Sequence, residues 1–134
     1  MILEEIRFLS VGDVIQIQED TILIEGGMPG LLDPGLLESA VTMPQQQFSD
    51  NYLHPGLIDM AAAYMFHIAM NHPFRDGNKR AAVMSALVFL YINGVRKLPE
   101  QKSLEEITML LAAGKLNKED LTRWFYSRCG DDRG

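Results

Sequence analysis

The chain has 134 residues, of which 47% are hydrophobic and 22% are charged, and its formal net charge is −6. This length suits one domain with a single hydrophobic core, and the composition excludes an intrinsically disordered chain. The negative net charge argues against a broad nucleic-acid-binding surface, because neutralising backbone phosphates requires a basic face.

The apolar stretches predict neither a membrane span nor a secretion signal. The longest apolar run, residues 81–92, is broken only by Ser85 and is about a dozen residues long, whereas a span needs about 20. The N-terminal residues lack a basic start followed by an apolar segment. A lone cysteine, Cys129, suits a reducing compartment. We therefore expect a cytoplasmic protein that does not enter a membrane.

Caps and turns in the first half of the chain predict helices followed by an irregular segment. Ser10 begins a capping pattern, but residues 11–25 also alternate polar and apolar side chains in a way that suits a strand. Asp33 is a good N-cap for a helix over residues 34–42, which opens with proline. The polar stretch 43–53 has no clear period and is predicted to be a loop or a short hairpin.

The second half of the chain carries the stronger helical patterns. Residues 57–69 have an apolar stripe at helical spacing, and residues 81–92 are apolar on nearly every side. Ser103 opens a capping box before another amphipathic segment, and Asn117 is the N-cap expected for the last helix. We predict an all-α, compact bundle of five or six helices around the central hydrophobic helix 81–92.

Residues 71–80 read Asn-His-Pro-Phe-Arg-Asp-Gly-Asn-Lys-Arg and concentrate charge between two strongly apolar helices. Arg75, Lys79 and Arg80 lie within six positions of an otherwise acidic chain. Positive charge at the start of a helix suits phosphate binding, because the first N–H groups are unpaired and the helix dipole is positive there. Gly77 lets the backbone approach a ligand or adopt a positive φ.

The same segment offers groups for proton transfer and metal binding. His72 is a candidate base, since imidazole is the side chain that most often takes protons near neutral pH. Pro73 would hold the preceding backbone in an extended geometry, and Phe74 would anchor the loop in the core. Asp76 is a candidate Mg²⁺ ligand, and Asn78 is a candidate cap of the next helix. This set suits phosphoryl or nucleotidyl transfer, although simple caps and solvated charges at a helix–loop–helix junction would look similar.

The nine residues 72–80 resemble the signature of the Fic/Doc superfamily, in which His-x-Phe-x-Asp/Glu-Gly-Asn is followed by a small residue or lysine and then arginine. Residues 26–30 and 33–40 resemble the turn and second helix of its death-on-curing (Doc) branch. Doc-like proteins are all-helical. The resemblance therefore favours a helix over residues 11–25 and a single Fic/Doc domain over residues 1–134, with a short flap before the motif helix.

The resemblance also implies roles for the residues of the motif. In the superfamily the histidine is the base toward a protein hydroxyl and the acid binds the metal, which implies these roles for His72 and Asp76. Lys79 joins them as a catalytic residue. The implied substrate and cofactor are ATP and Mg²⁺. The nucleotide phosphates are held by the glycine, asparagine and basic positions, which here are Gly77, Asn78, Lys79 and Arg80.

A flap before the motif helix aligns the target peptide in this superfamily by main-chain pairing. Residues 45–52 occupy that place in this chain. The implied contact residues are Gln46, Gln47 and Phe48.

Two positions bear on which group is transferred. AMP-transferring Fic proteins usually read Gly-Asn-Gly-Arg-x-x-Arg, whereas this chain has Lys79 for the second glycine and Val83 for the second arginine. Losing that arginine removes a bidentate phosphate contact. The Doc branch shares both features, and its known activity is phosphate transfer from ATP to a threonine of translation elongation factor Tu, which arrests translation. Gly77, by contrast, is closer to the AMP-transferring pattern than the alanine of some Doc proteins.

We therefore predict a Doc-like toxin that phosphorylates a Ser/Thr hydroxyl, with elongation factor Tu as its target. An AMP transferase and a non-catalytic nucleotide- or protein-binding module are the alternatives. Residues 21–26 match the short motif of self-inhibited members, Ser/Thr-x-x-x-Glu-Gly/Asn, and we interpret this match as coincidence. The implied regulator is instead a separate antitoxin that folds on binding.

Overall fold

The computed structural model describes residues 5–129, and within them the chain forms six α-helices and one short hairpin. No helix in this part of the chain is long and apolar enough to cross a membrane. The hairpin consists of β1 (Gln47–Phe48) and β2 (Asn51–Tyr52), and a 3-10 turn (Met43–Gln45) precedes it. The helices are α1 (Val11–Glu25), α2 (Pro34–Thr42), α3 (Leu57–Asn71), α4 (Asn78–Ile92), α5 (Gln101–Ala112) and α6 (Lys118–Arg128). The all-α prediction is confirmed.

Helix α1 confirms the choice of helix over strand for the first segment. Ser10 and Asp13 form the capping box, each side chain accepting a hydrogen bond from the other residue's N–H at 3.0 and 2.8 Å. The buried face of the helix consists of Val14, Gln18 and Thr21. Two of these three side chains are polar, which explains why the apolar periodicity of this segment was weak.

The predicted caps of α2 and α6 are confirmed. Asp33 accepts a hydrogen bond from the N–H of Leu36 at 3.0 Å, and Pro34 is the first residue of α2. Asn117 forms a capping box with Asp120 at the start of α6. These caps satisfy N–H groups that have no partner inside the helix.

The predicted start of the fifth helix at Ser103 is wrong. Helix α5 begins at Gln101 with Glu100 as its N-cap, so Ser103 lies inside the helix. Pro99 keeps Leu98 out of the helical region, because a residue before proline is pushed to extended backbone. The helix therefore begins almost as soon as the chain has passed the proline.

The core forms where α3 and α4 pack against each other. Helix α3 also packs on α2, α5, α6 and the 3-10 turn, whereas α4 packs on α1 and α5. Tyr91 and Ile92, at the end of α4, are exposed. The central position predicted for residues 81–92 is therefore shared with α3, which has the more complete burial. The largest fully buried side chains are Tyr64, Phe74, Phe89, Phe125, Leu37, Met60, Met65, Ile68, Leu90, Leu111, Leu121 and Gln18.

The polar stretch 43–53 forms a hairpin, one of its two predicted forms. Its strands are antiparallel, with Gln47 opposite Tyr52. The two turn residues, Ser49 and Asp50, have φ values of 52° and 67°. Two consecutive positive φ angles are typical of the tight turns whose twist matches that of the strands.

Candidate active site

His72 ends α3 in a left-handed conformation, with φ 50° and ψ 55°, and its N–H donates to the carbonyl of Ile68 at 3.2 Å. The extended geometry predicted for this residue is therefore wrong. Pro73 disfavours the right-handed helical region for His72, and the chain resolves this with a left-handed helix C-cap, a position that usually holds glycine. The conformation costs roughly 1–2 kcal/mol for a residue with a Cβ, and the side chain that it presents is exposed.

Asn78 ties the motif loop together from inside the protein. Its Oδ1 accepts a hydrogen bond from the N–H of Phe74 at 2.9 Å, and its Nδ2 donates to the carbonyl of Phe74 at 2.8 Å. Phe74 is 2% exposed, which confirms it as the anchor of the loop in the core. The predicted role of Asn78 as a helix cap is wrong, because Gly77 is the N-cap and Asn78 is the first residue of α4.

The same amide also contacts the candidate base. Nδ2 of Asn78 lies 3.2 Å from Nδ1 of His72. The two bonds to Phe74 fix which end of the amide is the donor. Nδ1 of His72 is therefore the acceptor, and a neutral ring in this arrangement carries its proton on Nε2.

The residues predicted to hold phosphates lie together at the start of α4. Gly77 has φ 76° and ψ 18°, as predicted for a glycine that needs a positive φ, and a Cβ there would approach Cδ1 of Ile22 to 3.4 Å. Lys79 and Arg80 follow in the first turn and border a cavity of about 740 Å³. Two cations of the first turn of α4 thus border this cavity.

The α4 side of this cavity beyond Arg80 is apolar, whereas the α5 side also carries Gln101, Glu105 and Thr108. Val83, Met84 and Leu87 line it from α4, and Met109 lines it from α5. Val83 is the position at which AMP-transferring relatives carry their second arginine. Beyond Arg80, α4 therefore offers hydrophobic surface and no further cation to this cavity.

Asp76 is held from two sides while its carboxylate remains exposed. One carboxylate oxygen, Oδ2, accepts a hydrogen bond from the N–H of Met28 at 2.7 Å. The Asp76 carbonyl accepts a hydrogen bond from Nε2 of Gln18 at 3.0 Å, and Gln18 is 1% exposed. Across residues 5–129, no three or more His, Cys, Asp or Glu side chains converge as a metal site. A single carboxylate fits Mg²⁺, which keeps several waters and is commonly shared with substrate phosphates.

The loop 26–30 forms a second wall of the site, which the sequence did not predict. The N–H of Arg75 donates to the carbonyl of Gly30 at 2.9 Å, and the N–H of Leu32 donates to the carbonyl of Pro73 at 2.8 Å. The available signal was the three glycines of this turn, all of which adopt positive φ. Their spacing indicates an unusual backbone path but not the segment that it contacts.

Glu25, the last residue of α1, forms an ion pair with Arg80 at 2.9 Å. Both side chains are partly exposed, at 45% and 36% respectively. The interpretation of residues 21–26 as a coincidental match did not anticipate this contact. It places a carboxylate on one of the two cations that border the cavity.

Within residues 5–129, no hydrogen bond or ring contact joins the hairpin residues Gln46, Gln47 and Phe48 to residues 72–80. Tyr52 contacts the ring of Phe8 at a centroid distance of 5.8 Å, and Phe8 stacks on Phe89 at 6.0 Å. Phe89 is 11 residues beyond Asn78 on α4, which is about 16 Å along the helix axis. These ring contacts join the hairpin to the part of α4 that is far from the motif. The target-aligning role of the hairpin stays a prediction.

Comparison with known proteins agrees with this geometry. The profile described as "Fic/DOC family" matches residues 8–90, which include the whole motif loop. The chain is 32% identical over 111 residues to "Protein kinase doc" of Escherichia phage P1, covering 83% of this chain and 86% of that protein. It is 45% identical over 71 residues to "Toxin Doc" of Mycolicibacterium smegmatis, covering 53% of this chain and 55% of that protein. The chain belongs to the Fic/DOC family.

Proposed function

We propose that the chain is a Doc-like toxin that transfers the terminal phosphate of ATP to a serine or threonine hydroxyl of elongation factor Tu, and so arrests translation. The observation that carries this proposal is the Asn78 amide. It joins the backbone of Phe74, the ring of His72 and the first turn of α4 into one unit. A base and a phosphate-binding helix start are thereby held at a fixed separation, which is what catalysis by positioning requires.

His72 is proposed to accept the proton of the target hydroxyl as its oxygen bonds to the terminal phosphorus. The bond from that phosphorus to the bridging oxygen breaks, and ADP leaves. Because Asn78 donates to Nδ1, the hydroxyl must displace the amide there, or the exposed ring must turn away and change its tautomer. Lys79 and Arg80 would neutralise phosphate charge, and the N–H groups after Gly77 would bind phosphate oxygens. Mg²⁺, held by Asp76, would supply charge stabilisation when bound.

Two observations support phosphate transfer over AMP transfer. The side chain of Lys79 fills space that glycine would leave open, and the cavity beyond Arg80 is lined by Val83, Met84 and Leu87. An apolar surface suits the base and ribose better than it suits further phosphates. This arrangement favours a nucleotide whose base and ribose lie on the apolar surface and whose terminal phosphate lies at the motif loop, where it can be transferred. The Gly77 residue, closer to the AMP-transferring pattern, is the feature that supports the alternative.

The proposed partners are the target protein and an antitoxin. The relative named toxin supports a toxin–antitoxin context, and the proposed antitoxin is a separate protein that folds on binding. A cytoplasmic location is proposed with them, because the translation machinery is there. The net charge of −6 supports a protein target over nucleic acid, because binding nucleic acid requires an excess of positive charge.

An intact-mass assay tests the proposal. The purified protein is incubated with Mg-ATP and elongation factor Tu, in parallel with His72→Ala, Lys79→Ala and the control Lys102→Ala, which removes an exposed lysine from α5. We expect one phosphate on the factor with the wild type and with Lys102→Ala, and a loss of at least about 100-fold in rate with His72→Ala.

The other outcomes separate the alternatives. A gain of one AMP would replace phosphate transfer by AMP transfer. No gain on this factor would exclude it as the target, and the assay would then be repeated on a whole-cell lysate. If no protein in the lysate gains mass either, a non-catalytic module would be favoured.

A further inference from the structure

A second polar cluster lies away from the motif loop. Nζ of Lys118 is 3.0 Å from Nε2 of His54 and 3.3 Å from Nε2 of His67. An ammonium group can only donate hydrogen bonds, so both Nε2 atoms must be acceptors and both rings must be neutral. The three residues come from the segment after the hairpin, from α3 and from α6.

This cluster combines two features that are each unfavourable alone, namely two buried or partly buried histidine rings beside a lysine and a cation at the start of a helix. Burial, reinforced by the charge of Lys118, lowers the pKa of His54, and the same causes lower the pKa of His67 to about 4. Lys118 is also the first residue of α6, where the positive end of the helix dipole disfavours a cation. Breaks of local rules concentrate at functional sites. The cluster is therefore a candidate for a role beyond packing.

The charged neighbours of the cluster come from the same two helices. Asp59 on α3 faces His54 and accepts a hydrogen bond from the hydroxyl of Tyr126 at 2.5 Å. Glu119 and Arg123 on α6 line a depression of about 410 Å³ together with these groups. Asp59 opposes the effect of Lys118 on His54, but burial remains the largest influence on that ring.

The cluster connects the hairpin with the catalytic end of α3. His54 lies two residues after β2, and the hairpin closes on the bond from the N–H of Leu53 to the carbonyl of Gln46 at 2.9 Å. His67 lies five residues before His72, which is about 7 Å along the helix. The aromatic contacts of the hairpin run through Phe8 to Phe89, near the end of α4 that is far from His72. The contacts of Lys118 with His54 and His67 instead join the hairpin to the helix that ends at His72.

We propose that His54, His67 and Lys118 form a positioning cluster, which holds the foot of the hairpin at a fixed place relative to His72 and so presents the target to the base. This inference rests on the proposed function of His72 and on the target-aligning role predicted for the hairpin from the sequence. The three residues touch neither ATP nor the reacting hydroxyl. Their effect should therefore appear in the binding of the protein target and not in the chemistry with ATP.

Lys118→Met tests the proposal, with Lys115→Met as the matched control, because Lys115 is exposed in the turn before α6. With elongation factor Tu as substrate, we expect Lys118→Met to raise the KM for the factor about tenfold. The kcat and the KM for ATP should stay within about twofold of the wild type. Lys115→Met should change none of the three. An unchanged KM for the factor, or an equal fall in kcat, would overturn the positioning role.

Amide hydrogen exchange keeps this inference separate from the proposed function. In Lys118→Met, the N–H of Leu53 should exchange about tenfold faster, while the N–H of Phe74 in the motif loop stays protected. Unchanged exchange at Leu53 would refute the cluster even if the wild type transfers phosphate. Faster exchange there, together with no transfer by the wild type to any protein, would refute the proposed function and leave the cluster as the support of the hairpin alone.

Discussion

The motif loop and the hairpin are built in opposite ways. The loop is fixed by bonds from distant parts of the chain, those of Gln18 and Met28 to Asp76, and by the bonds between Phe74 and Asn78 within the loop itself. The hairpin has strands of two residues, and Phe48 on it is 73% exposed. Chemistry requires atoms that are held in place before the substrate arrives, whereas recognition of a protein chain tolerates an element that adjusts. The long-range bonds of Gln18 and Met28 thus hold the loop that carries the proposed base and phosphate-binding residues.

The largest effect is expected from Asn78→Ala, which removes the bonds that fix the loop. The buried N–H and carbonyl of Phe74 would lose their partner, so the free energy of unfolding should fall by about 3 kcal/mol. The transfer rate should fall by at least about 100-fold, because His72 loses its fixed position. Asn71→Ala is the control, since the Asn71 amide donates a single bond to the carbonyl of Leu36, and it should cost about 1 kcal/mol. Equal losses for both variants in urea unfolding would show that the loop is no more fixed than its surroundings.

Acid should weaken the link at the hairpin foot, because the pKa of His67 is lowered in the folded protein by burial and by the charge of Lys118. The pKa of His67 is about 4 in the folded protein and about 6.5 in an unfolded chain. Between these values the unfolded chain binds a proton that the folded protein does not. The stability is therefore fully present above pH 6.5 and falls as the pH drops toward 4.

The expected contribution of His67 to this loss is roughly 2 kcal/mol, after allowing for partial exposure of the ring. Urea unfolding at neutral pH and near pH 4, the pKa of His67 in the folded protein, measures this loss of stability. His67→Gln keeps an acceptor for Lys118 but does not titrate, so its stability should fall less over the same range. A fall of the same size in this variant would assign the acid sensitivity to other groups.

Phe48→Ser tests whether the hairpin is a recognition element. The exposed ring contributes little to folding, so the free energy of unfolding should change by less than about 0.5 kcal/mol. An aromatic anchor for a protein partner would be lost, so the KM for elongation factor Tu should rise about tenfold. Leu110→Ser, an exposed apolar change on α5, should leave this KM unaltered. If both variants behave alike in steady-state kinetics, the hairpin has no special part in binding the target.

The smallest effect is expected from Glu25→Gln. The carboxylate competes with phosphate for Arg80, and a partly exposed ion pair is worth no more than about 1 kcal/mol. The KM for ATP should therefore fall about two- to fivefold, with no change in the KM for the target. Glu19→Gln, on the exposed side of α1, is the control for the change of net charge. A KM for ATP that rises in Glu25→Gln would show that the acid supports nucleotide binding.

The sequence predicted most helices well from local caps and apolar stripes, with the capping box at Ser103 as the exception. Ser10, Asp33 and Asn117 cap the helices that they were expected to cap, and Phe74 is buried as expected. Residues 72–80 could be predicted as the site because the motif is contiguous, and the positive φ of Gly77 follows from its residue type. Local patterns carry this information without knowledge of the fold.

The errors fall where a residue has two possible partners. Asn78 could cap a helix or bind the backbone of Phe74, and only the folded loop decides between them. His72 before proline could be extended or left-handed, and the end of α3 selects the second. The contact of Glu25 with Arg80 and the cluster around Lys118 join residues 55 and 64 positions apart. No local period or spacing encodes such pairs.

The left-handed backbone of His72 has a consequence for how the activity is lost. Glycine adopts this conformation without strain, so His72→Gly would remove the proposed base and relieve the backbone in one change. The fold gains from the substitution that ends the activity, which is the reverse of the usual case in which inactivation accompanies unfolding. A population that escapes this protein by mutating it would therefore accumulate well-folded, abundant and inert copies, which remain able to occupy whatever partner the active form binds.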